Sequence, residues 1–445
     1  MVRGLIGIAL VLGLPRQNAA QVPADQIWED LDYLIEQVAE IHPVPFRVHA
    51  RAEWTRRRAL AVERAPLSHA ELYAEVLRMI ALASDGHMDA YPPEDHNEAR
   101  AAVPLKLVPF PEGLYVTAAD PAYRRVVGRR VLAIEGMASA EVIDRLRILV
   151  PSDNNPGTRE LTEDYLRMPL LLQAVGVGNS EPGIQLTFEA DDGPVVYTVD
   201  SSAATDDLPV GPPRRPTPPG WIDARGASAL PLWQRHLERI HWLEPMPDLD
   251  AVYVQLNRVI EDRPGTLRQL ADQMTRAADS LGAARLVLDV RANRGGDATL
   301  LQPLLHAILR QWQTEVPGTV FVLTSSYTFS AAVHLAADLE RNTHAIFVGE
   351  PTAAPPNHYA DVTTVTLPNS GIEVEISRLY WQKSDPRDHR DAMYPDVVAP
   401  LRWLDFVQGR DPAMDAVRRL DRADPGLSRT RSPVFNWMRP SQQRN

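Results

Sequence analysis

The sequence predicts a mixed α/β protein built from several parts. Apolar residues recur at helical spacing near the amino terminus, and short strand-like runs dominate the middle of the chain. Buried-strand patterns then alternate with helical ones over residues 223–425. Of the 445 residues, 44% are hydrophobic and 23% are charged, which is ordinary globular composition with enough apolar material for a sizeable core.

Charge and composition exclude several classes of function. The net charge is −12, which argues against nucleic-acid binding because phosphate contacts require a basic surface. Cysteine is absent, so disulfides, thiolate metal sites and cysteine nucleophiles are excluded. Lysine occurs only at Lys106 and Lys383, so a catalytic lysine has few candidates.

Residues 1–20 have the features of a signal peptide. Arg3 supplies the positive charge, and residues 5–14 form an apolar run too short to span a bilayer, which needs ~20 residues. A buried N-terminal helix is the alternative interpretation. We expect a periplasmic or secreted protein that has no membrane span once the signal is removed.

Residues 25–98 are predicted to form an N-terminal helical domain. A first helix carries an apolar stripe at Ile27, Leu31, Leu34, Ile35, Val38 and Ile41. A second helix begins at Ser68, and Glu71 three residues later completes a capping box. The second helix ends just before Gly86, which suits a left-handed C-terminal cap.

The rest of the chain divides into four further segments. Residues 100–208 are rich in strand-like runs, with helical stretches around 138–149 and 160–174. A linker at 209–222 holds six prolines. The α/β core occupies 223–425, with predicted strands at 251–257, 285–290, 319–324 and 345–349, and a polar, disordered tail follows at 426–445.

Two turns that follow buried strands carry residues suited to nucleophilic catalysis. Ser330 lies between a strand and a helix, so the amide of Ala331 is at the positive end of that helix and can stabilise an oxyanion. Gly295 and Gly296 expose backbone N–H groups and are candidates for the second oxyanion donor. The alternatives are that Ser330 only caps its helix and that the glycines form an ordinary turn.

Three histidines are candidates for a general base. His87 follows a glycine at the end of a helix and is placed to project into a cleft. His334 lies four residues after Ser330 on the same helical face, and His358 lies in a predicted loop. The segment 381–391 is rich in acids that can orient a histidine, although it also fits a solvated loop.

Metal and cofactor sites are not predicted. The metalloprotease pattern HExxH is absent, and a loop is the better interpretation of the group His87, Asp89, Asp95 and His96, because two prolines interrupt it and the spacing is loose. Neither the phosphate-loop pattern nor GxGxxG is present.

Taken together, these segments resemble the tail-specific, or C-terminal-processing, serine peptidase family. The matching pieces, in the family's order, are DGH at 85–87, YVQLN at 253–257, LVLDVRANRGGD at 286–297, YTFSAA at 327–332, FVGEPT at 347–352 and YPDVVAP at 394–400. The resemblance implies a peptidase core related to the Clp/crotonase superfamily and a PDZ-like module in the middle segment.

The resemblance also implies roles for individual residues. The family's nucleophile falls on Ser330, but the stretch 349–355 lacks the lysine that many members use. The branch typified by the tricorn core protease instead uses a histidine and a later acid, which fall on His87 and Asp388, with Asp391 in reserve. That branch has a serine directly before the histidine, where this chain has Gly86.

The function expected from these residues is that of a serine-type endopeptidase. His87 would take the proton from Ser330, which attacks a peptide carbonyl and forms an acyl-enzyme, while Asp388 orients the base or its relay. The substrate would be an extended polypeptide added to a strand edge. A catalytically inactive peptide- or ligand-binding relative and a crotonase-like thioester enzyme are the alternatives.

Overall fold

The computed structural model describes residues 21–178, 183–201, 217–261 and 265–420. The predicted signal peptide, the predicted tail and residues 209–216 of the proline-rich linker lie outside the described residues. Among the described helices, none has the length and apolar character needed to cross a membrane.

The N-terminal part contains three main helices, two of which the apolar spacing predicts, whereas the helix Arg51–Glu63 between them was not predicted. They span Ala24–Ile41, Arg51–Glu63 and His69–Ile80, and a short antiparallel strand pair joins Gln21–Val22 to Leu67–Ser68. The predicted stripe on the first helix is buried except for Ile41, which is partly buried. The capping box is confirmed, because the Ser68 hydroxyl accepts from the Glu71 N–H and the Glu71 carboxylate accepts from the Ser68 N–H.

The turn before His87 differs from the prediction. Ser84, with φ of +50°, is the left-handed residue that ends the 3₁₀ turn Ala81–Ala83, and Gly86 is not in that region. Space is restricted at Gly86 instead, because a Cβ at that position would lie 2.7 Å from Asp153 Oδ2 and the carboxyl group would have to shift.

The middle part is an antiparallel sheet. Its strand order is Ile222–Asp223, Gly113–Ala119, Arg130–Ile134, Ile184–Phe188 and Val195–Val199, with Leu105–Phe110 and Met137–Ala138 paired beside this path. The helices are Ser139–Leu146, Asn155–Tyr165 and Pro169–Ala174. The last two cover most of the predicted stretch 160–174, but the first of them begins earlier, at Asn155, and they remain separate helices because Pro169 begins a new one. The PDZ-like character of this part stays a prediction.

The C-terminal part is built on a six-stranded sheet. The strand order is His241–Met246, Ala251–Leu256, Arg285–Asp289, Val320–Thr324, Ile346–Gly349 and Val397–Val398. The first pair is antiparallel and the others are parallel. Helices Leu267–Leu281, Gln302–Gln311 and Ala331–Asn342 connect the parallel strands, and Trp403–Val407 and Pro412–Arg419 follow. The predicted mixed α/β fold is confirmed.

A third sheet links the N-terminal part to the C-terminal part. The hairpin Asn357–Thr366 and Glu373–Gln382 is extended by the short strand Asp89–Tyr91, which pairs antiparallel with Glu373–Glu375. Because Asp89–Tyr91 begins two residues after His87, this pairing fixes His87 against the C-terminal part.

An apolar core runs through the N-terminal helices, the middle sheet and this hairpin. Trp54 and Leu77 from the helices, Leu186 from the middle sheet and Val374 from the hairpin belong to one buried cluster. A separate cluster packs the helices of the C-terminal part against its parallel sheet. The N-terminal helices, the middle sheet and the hairpin therefore share one core and pack directly against each other.

Candidate active site

Ser330 is held in a backbone conformation that L-residues rarely adopt. It follows the strand Val320–Thr324, precedes the helix Ala331–Asn342, and has φ of +51° and ψ of −126°. Such strain is typical of functional positions in proteins. The Ser330 side chain makes no capping hydrogen bond to the helix. The capping interpretation is therefore wrong, and the hydroxyl is left for other partners.

The loop before Ser330 is fixed to the end of the neighbouring strand. Thr328 Oγ1 donates to the carbonyl of Val290 at 3.0 Å, and the N–H of Phe329 donates to the carbonyl of Asn293 at 3.0 Å. Ser325 Oγ donates to the carbonyl of Arg291 at 2.7 Å. These bonds hold the serine loop beside the turn that carries Gly295 and Gly296.

Gly295 packs directly against Ser330 and Ala331. A Cβ at Gly295 would lie 2.5 Å from Ser330 Cβ and 2.9 Å from the Ala331 nitrogen, and its φ is +106°. Only glycine fits this close approach. The Gly295 N–H donates to Asn293 Oδ1 at 2.7 Å, so that amide is already engaged.

Two of the three predicted oxyanion amides remain candidates. Within the described part of the chain, the N–H groups of Ala331 and Gly296 have no hydrogen-bond acceptor. Ala331 is the first residue of its helix, where such an N–H also carries the positive end of the helix dipole. Of the two predicted glycines, Gly296 is therefore the one whose N–H has no acceptor among the described residues.

His87 lies against the residue before Ser330. Its ring stacks on Phe329 with centroids 4.3 Å apart and an interplanar angle of 25°. Its backbone N–H donates to Asp85 Oδ1 at 2.9 Å, which orients the turn. Both ring nitrogens are shielded from solvent and have no hydrogen-bond partner within the described residues. The structure thus brings His87 to the loop that carries Ser330.

Burial keeps His87 in the neutral form that a base requires. Desolvation is the main cause that lowers the pKa of His87 to about 3; His358 and Arg294 contribute to the lowering, and Asp85 opposes it. A neutral imidazole has a lone pair available for the proton of a nucleophile.

The two rival histidines form a row with His87. The His358 ring is nearly parallel to that of His87, with centroids 5.2 Å apart, and the His334 ring lies 4.8 Å from His358. His358 is anchored by a 2.7 Å hydrogen bond between Nδ1 and the carbonyl of Pro355. Burial lowers the pKa of His334 to about 2. Sequence spacing gave no signal for this stacking.

Asp388 does not hydrogen-bond His87. It is 5% exposed, accepts from Ser384 Oγ at 2.7 Å, and is paired with Arg390 at 2.8 Å. Burial alone would raise the pKa of Asp388, but the hydrogen bonds from Arg390 and Ser384 outweigh it and lower the pKa. Arg390 also pairs with Glu340 at 2.8 Å. The reserve candidate Asp391 is exposed and accepts from the Tyr394 hydroxyl at 2.8 Å.

Two other carboxyl groups lie beside His87. Asp85 is fully buried and is paired with His42 Nε2 at 3.2 Å. Asp153 Oδ2 accepts from the Gly86 N–H at 3.2 Å. Ligand atoms of Asp85, His87 and Asp153 lie within 4.8 Å of one another, a spacing that suits a divalent cation but is also common in groups that hold none. Sequence reasoning missed Asp153, which comes from the middle part of the chain.

The helix Asn155–Tyr165 packs onto the serine loop. The Tyr327 hydroxyl donates to Glu163 Oε2 at 2.7 Å, and Arg294 is paired with Glu160. The Arg294 guanidinium lies 5.0 Å from the centroid of Phe329. The middle part therefore contributes directly to the surroundings of Ser330.

Solved structures share this fold. The chain matches mature CPAF in complex with lactacystin with a TM-score of 0.62 at 12% identity, covering 89% of this chain and 98% of that one. Mature CPAF alone matches with a TM-score of 0.59 at 13% identity, covering 89% and 97%. The photosystem II D1 C-terminal processing protease has a TM-score of 0.37 at 16% identity, covering 87% and 98%, and adds nothing to the fold assignment.

No protein-family model and no curated protein matches the sequence. At 12–13% identity, the likeness to CPAF establishes the fold and leaves the activity to be argued from the site.

Proposed function

We propose that this protein is a serine-type peptidase with Ser330 as nucleophile and His87 as general base. One observation carries the proposal: the ring of Phe329, directly before Ser330, stacks on His87 at 4.3 Å, although the two residues come from distant parts of the chain. The motif resemblance to tail-specific peptidases and the CPAF-like fold support the same function.

The reaction follows from the roles of these groups. His87 accepts the proton of Ser330 Oγ as that oxygen attacks the carbonyl carbon of a peptide bond. The resulting imidazolium returns its proton to the departing amine, which leaves an acyl-enzyme on Ser330. His87 then takes a proton from water as the water oxygen attacks the ester; the bond from the carbonyl carbon to Ser330 Oγ breaks, the carboxylic acid leaves, and the proton on His87 returns to Ser330 Oγ.

The Ala331 and Gly296 amides hold the oxyanion in this proposal. Both N–H groups are without an acceptor among the described residues, so no existing hydrogen bond has to break when the oxyanion forms. One such donor contributes about 3–4 kcal/mol to transition-state stabilisation.

Asp388 has a positioning role. It accepts from Ser384 Oγ at 2.7 Å, and the Ser384 N–H donates to Asn357 Oδ1 at 2.8 Å. Asn357 precedes His358, whose ring is parallel to that of His87. Asp388 therefore positions the base His87 indirectly, by way of His358, whose ring stacks on that of His87.

The proposed substrate is an extended polypeptide cleaved at internal bonds. The strand Glu373–Gln382 pairs with Asp89–Tyr91 only through its first three residues, so among the described strands its edge from Ser377 onward is unpaired. Leu379 and Tyr380 on this stretch are 42% and 48% exposed. An extended peptide can add to such an edge. Trp381 lies on the same strand, and its ring centroid is 5.1 Å from that of His334, one of the three histidines in the row that includes His87.

We further propose that the protein is exported to the periplasm or secreted. The proposal rests on the signal-like composition of residues 1–20. Edman sequencing of the exported protein tests it, and a mature N-terminus near residue 21 is the expected result.

A peptide-binding relative without catalysis is the second candidate. It is favoured by the pairing of Asp388 with Arg390, which neutralises the predicted acid, and by the absence of a lysine from 349–355.

Covalent labelling separates the two candidates. A fluorophosphonate should label the purified protein, and Ser330→Ala should abolish the labelling while the thermal unfolding midpoint is kept. Labelling retained in Ser330→Ala would reject Ser330 as the nucleophile, whereas a folded wild-type protein that is never labelled would favour the binding relative. Asp388→Asn should slow labelling less than His87→Ala does, because Asp388 acts on the base indirectly.

The endopeptidase assignment is tested by incubating the protein with casein and identifying the products by mass spectrometry. Fragments that come from inside the casein chain are the expected result.

A further inference from the structure

A carboxyl group from the middle part of the chain reaches the turn that carries His87. Asp153 lies just before the helix Asn155–Tyr165, and its Oδ2 accepts from the Gly86 N–H at 3.2 Å. Ligand atoms of Asp153 and His87 are within 4.8 Å. Since a hydrogen bond needs ~2.6–3.2 Å, a side-chain adjustment of at most about 2 Å joins the two groups.

Asp153 occupies the space that a side chain at position 86 would fill. A Cβ on Gly86 would lie 2.7 Å from Asp153 Oδ2 and 3.2 Å from Phe329 Cε2. Gly86 is not in the left-handed region, so its backbone conformation does not require glycine. The Asp153 carboxyl group therefore fills the space that is left because Gly86 has no side chain.

The other nearby carboxylates are committed to different donors. Asp85 Oδ1 accepts from the His87 backbone N–H and Oδ2 is paired with His42. Asp388 is bound by Ser384 and Arg390. The described structure gives the Asp153 carboxyl group one hydrogen bond, from Gly86, while both ring nitrogens of His87 lack a partner.

We propose that Asp153 is the positioning residue that holds the His87 ring during the reaction. Its carboxyl group accepts a hydrogen bond from one ring N–H of His87, which leaves the other ring nitrogen to take the Ser330 proton. The proton moves from Ser330 Oγ to His87 and none moves to Asp153. This inference rests on the proposed function.

The electrostatics of Asp153 fit this role. Burial and the neighbouring charge of Asp85 raise the pKa of Asp153 well above its usual range, against the Gly86 hydrogen bond and the charge of Arg47. These influences favour the neutral form of the carboxyl group, whose carbonyl oxygen still accepts a hydrogen bond from a ring N–H of His87.

A compensating pair of substitutions tests the proposal. The maximal rate of fluorophosphonate labelling and the affinity for the probe are measured on the full chain. The variants are Asp153→Ala, Asp153→Asn, Gly86→Ser and the double variant Gly86→Ser/Asp153→Ala. Asp144→Ala is the matched control, since Asp144 is an aspartate of the same middle part whose side chain is 70% exposed.

Asp153→Ala should reduce the maximal labelling rate roughly 10- to 100-fold with unchanged affinity, because a misplaced base slows the step without altering probe binding. Asp153→Asn should retain most of the rate, since its amide oxygen still accepts hydrogen bonds. Gly86→Ser alone should be impaired by the clash, and the double variant should recover at least tenfold over Asp153→Ala, because the serine hydroxyl replaces the lost oxygen.

Labelling of Asp153→Ala at the wild-type rate would overturn the proposal, as would a double variant no faster than either single one. These results differ from failure of the proposed function, in which the wild-type protein itself is not labelled. Thermal unfolding of every variant identifies any that fails to fold. If Asp153→Ala does so, the nearly isosteric Asp153→Leu, which also lacks the acceptor oxygen, takes its place, and labelling of Asp153→Leu at the rate of Asp144→Ala would overturn the role.

Discussion

The ring of Phe329 lies 4.3 Å from the imidazole of His87, centroid to centroid, and the two planes differ by 25°. The contact joins the turn after the N-terminal helices to the residue next to Ser330. Arg294 lies over the same phenyl ring at 5.0 Å and pairs with Glu160 of the middle part. Three segments of the chain therefore meet at one side chain.

Phe329→Leu should slow fluorophosphonate labelling about tenfold, because the imidazole loses its stacking partner. The substitution should also lower the free energy of unfolding by about 1–2 kcal/mol, since Phe329 is 7% exposed. Phe321→Leu is the control: Phe321 is 1% exposed in a core strand, so it should lose similar stability with unchanged labelling. Equal slowing in both variants would contradict a specific role for the ring.

His87→Ala should reduce kcat on a peptide substrate by about 10²–10⁴-fold without unfolding the protein, as expected for loss of a general base. His334→Ala should act through packing, because His334 is 2% exposed inside its helix interface. The measurement is kcat together with the urea midpoint. The reverse ranking would move the base to the helix that follows Ser330.

Acid should destabilise the protein partly through His334. Its pKa is about 2 in the folded protein against ~6.5 when unfolded, so the unfolded state binds more protons between these values. Stability is then lost as the pH falls below about 6.5. His334→Leu should reduce the difference in unfolding free energy between pH 7 and pH 5 by about 2 kcal/mol in urea titrations. The exposed His306 provides a control, and an equal change in His306→Leu would contradict the assignment.

Gly295→Ala should abolish labelling. The new methyl group would lie 2.5 Å from Ser330 Cβ and 2.9 Å from the Ala331 amide, so both nucleophile and oxyanion donor must shift. Gly282→Ala is a suitable control because Gly282 also has a positive φ, +63°, with no atom within 4 Å of the added Cβ. Wild-type labelling in Gly295→Ala would show that the close approach is not needed.

Much of the fold follows from local sequence patterns. The apolar runs at Ala251–Leu256, Arg285–Asp289 and Val320–Thr324 are the buried central strands, and Ser68 with Glu71 marks a helix start. These features depend on residues close together in the chain, so periodicity and capping chemistry reveal them.

The features that the sequence did not predict depend on distant contacts. The hairpin Asn357–Thr366 and Glu373–Gln382 contains many polar residues, and its pairing with Asp89–Tyr91 has no local signal. Asp153 reaches Gly86 across 67 positions of sequence. Gly86 looked like a left-handed cap because glycine favours that conformation, whereas here it makes room for a carboxyl group.

The pairing of Asp89–Tyr91 with Glu373–Glu375 also sets limits on how the chain can be divided. A fragment that begins near residue 223 would lack that short strand and leave the hairpin with a bare edge. Val374 and Ile376, both fully buried in the intact chain, would face water. Open edges beside apolar residues promote self-association, so the C-terminal part produced by itself should aggregate.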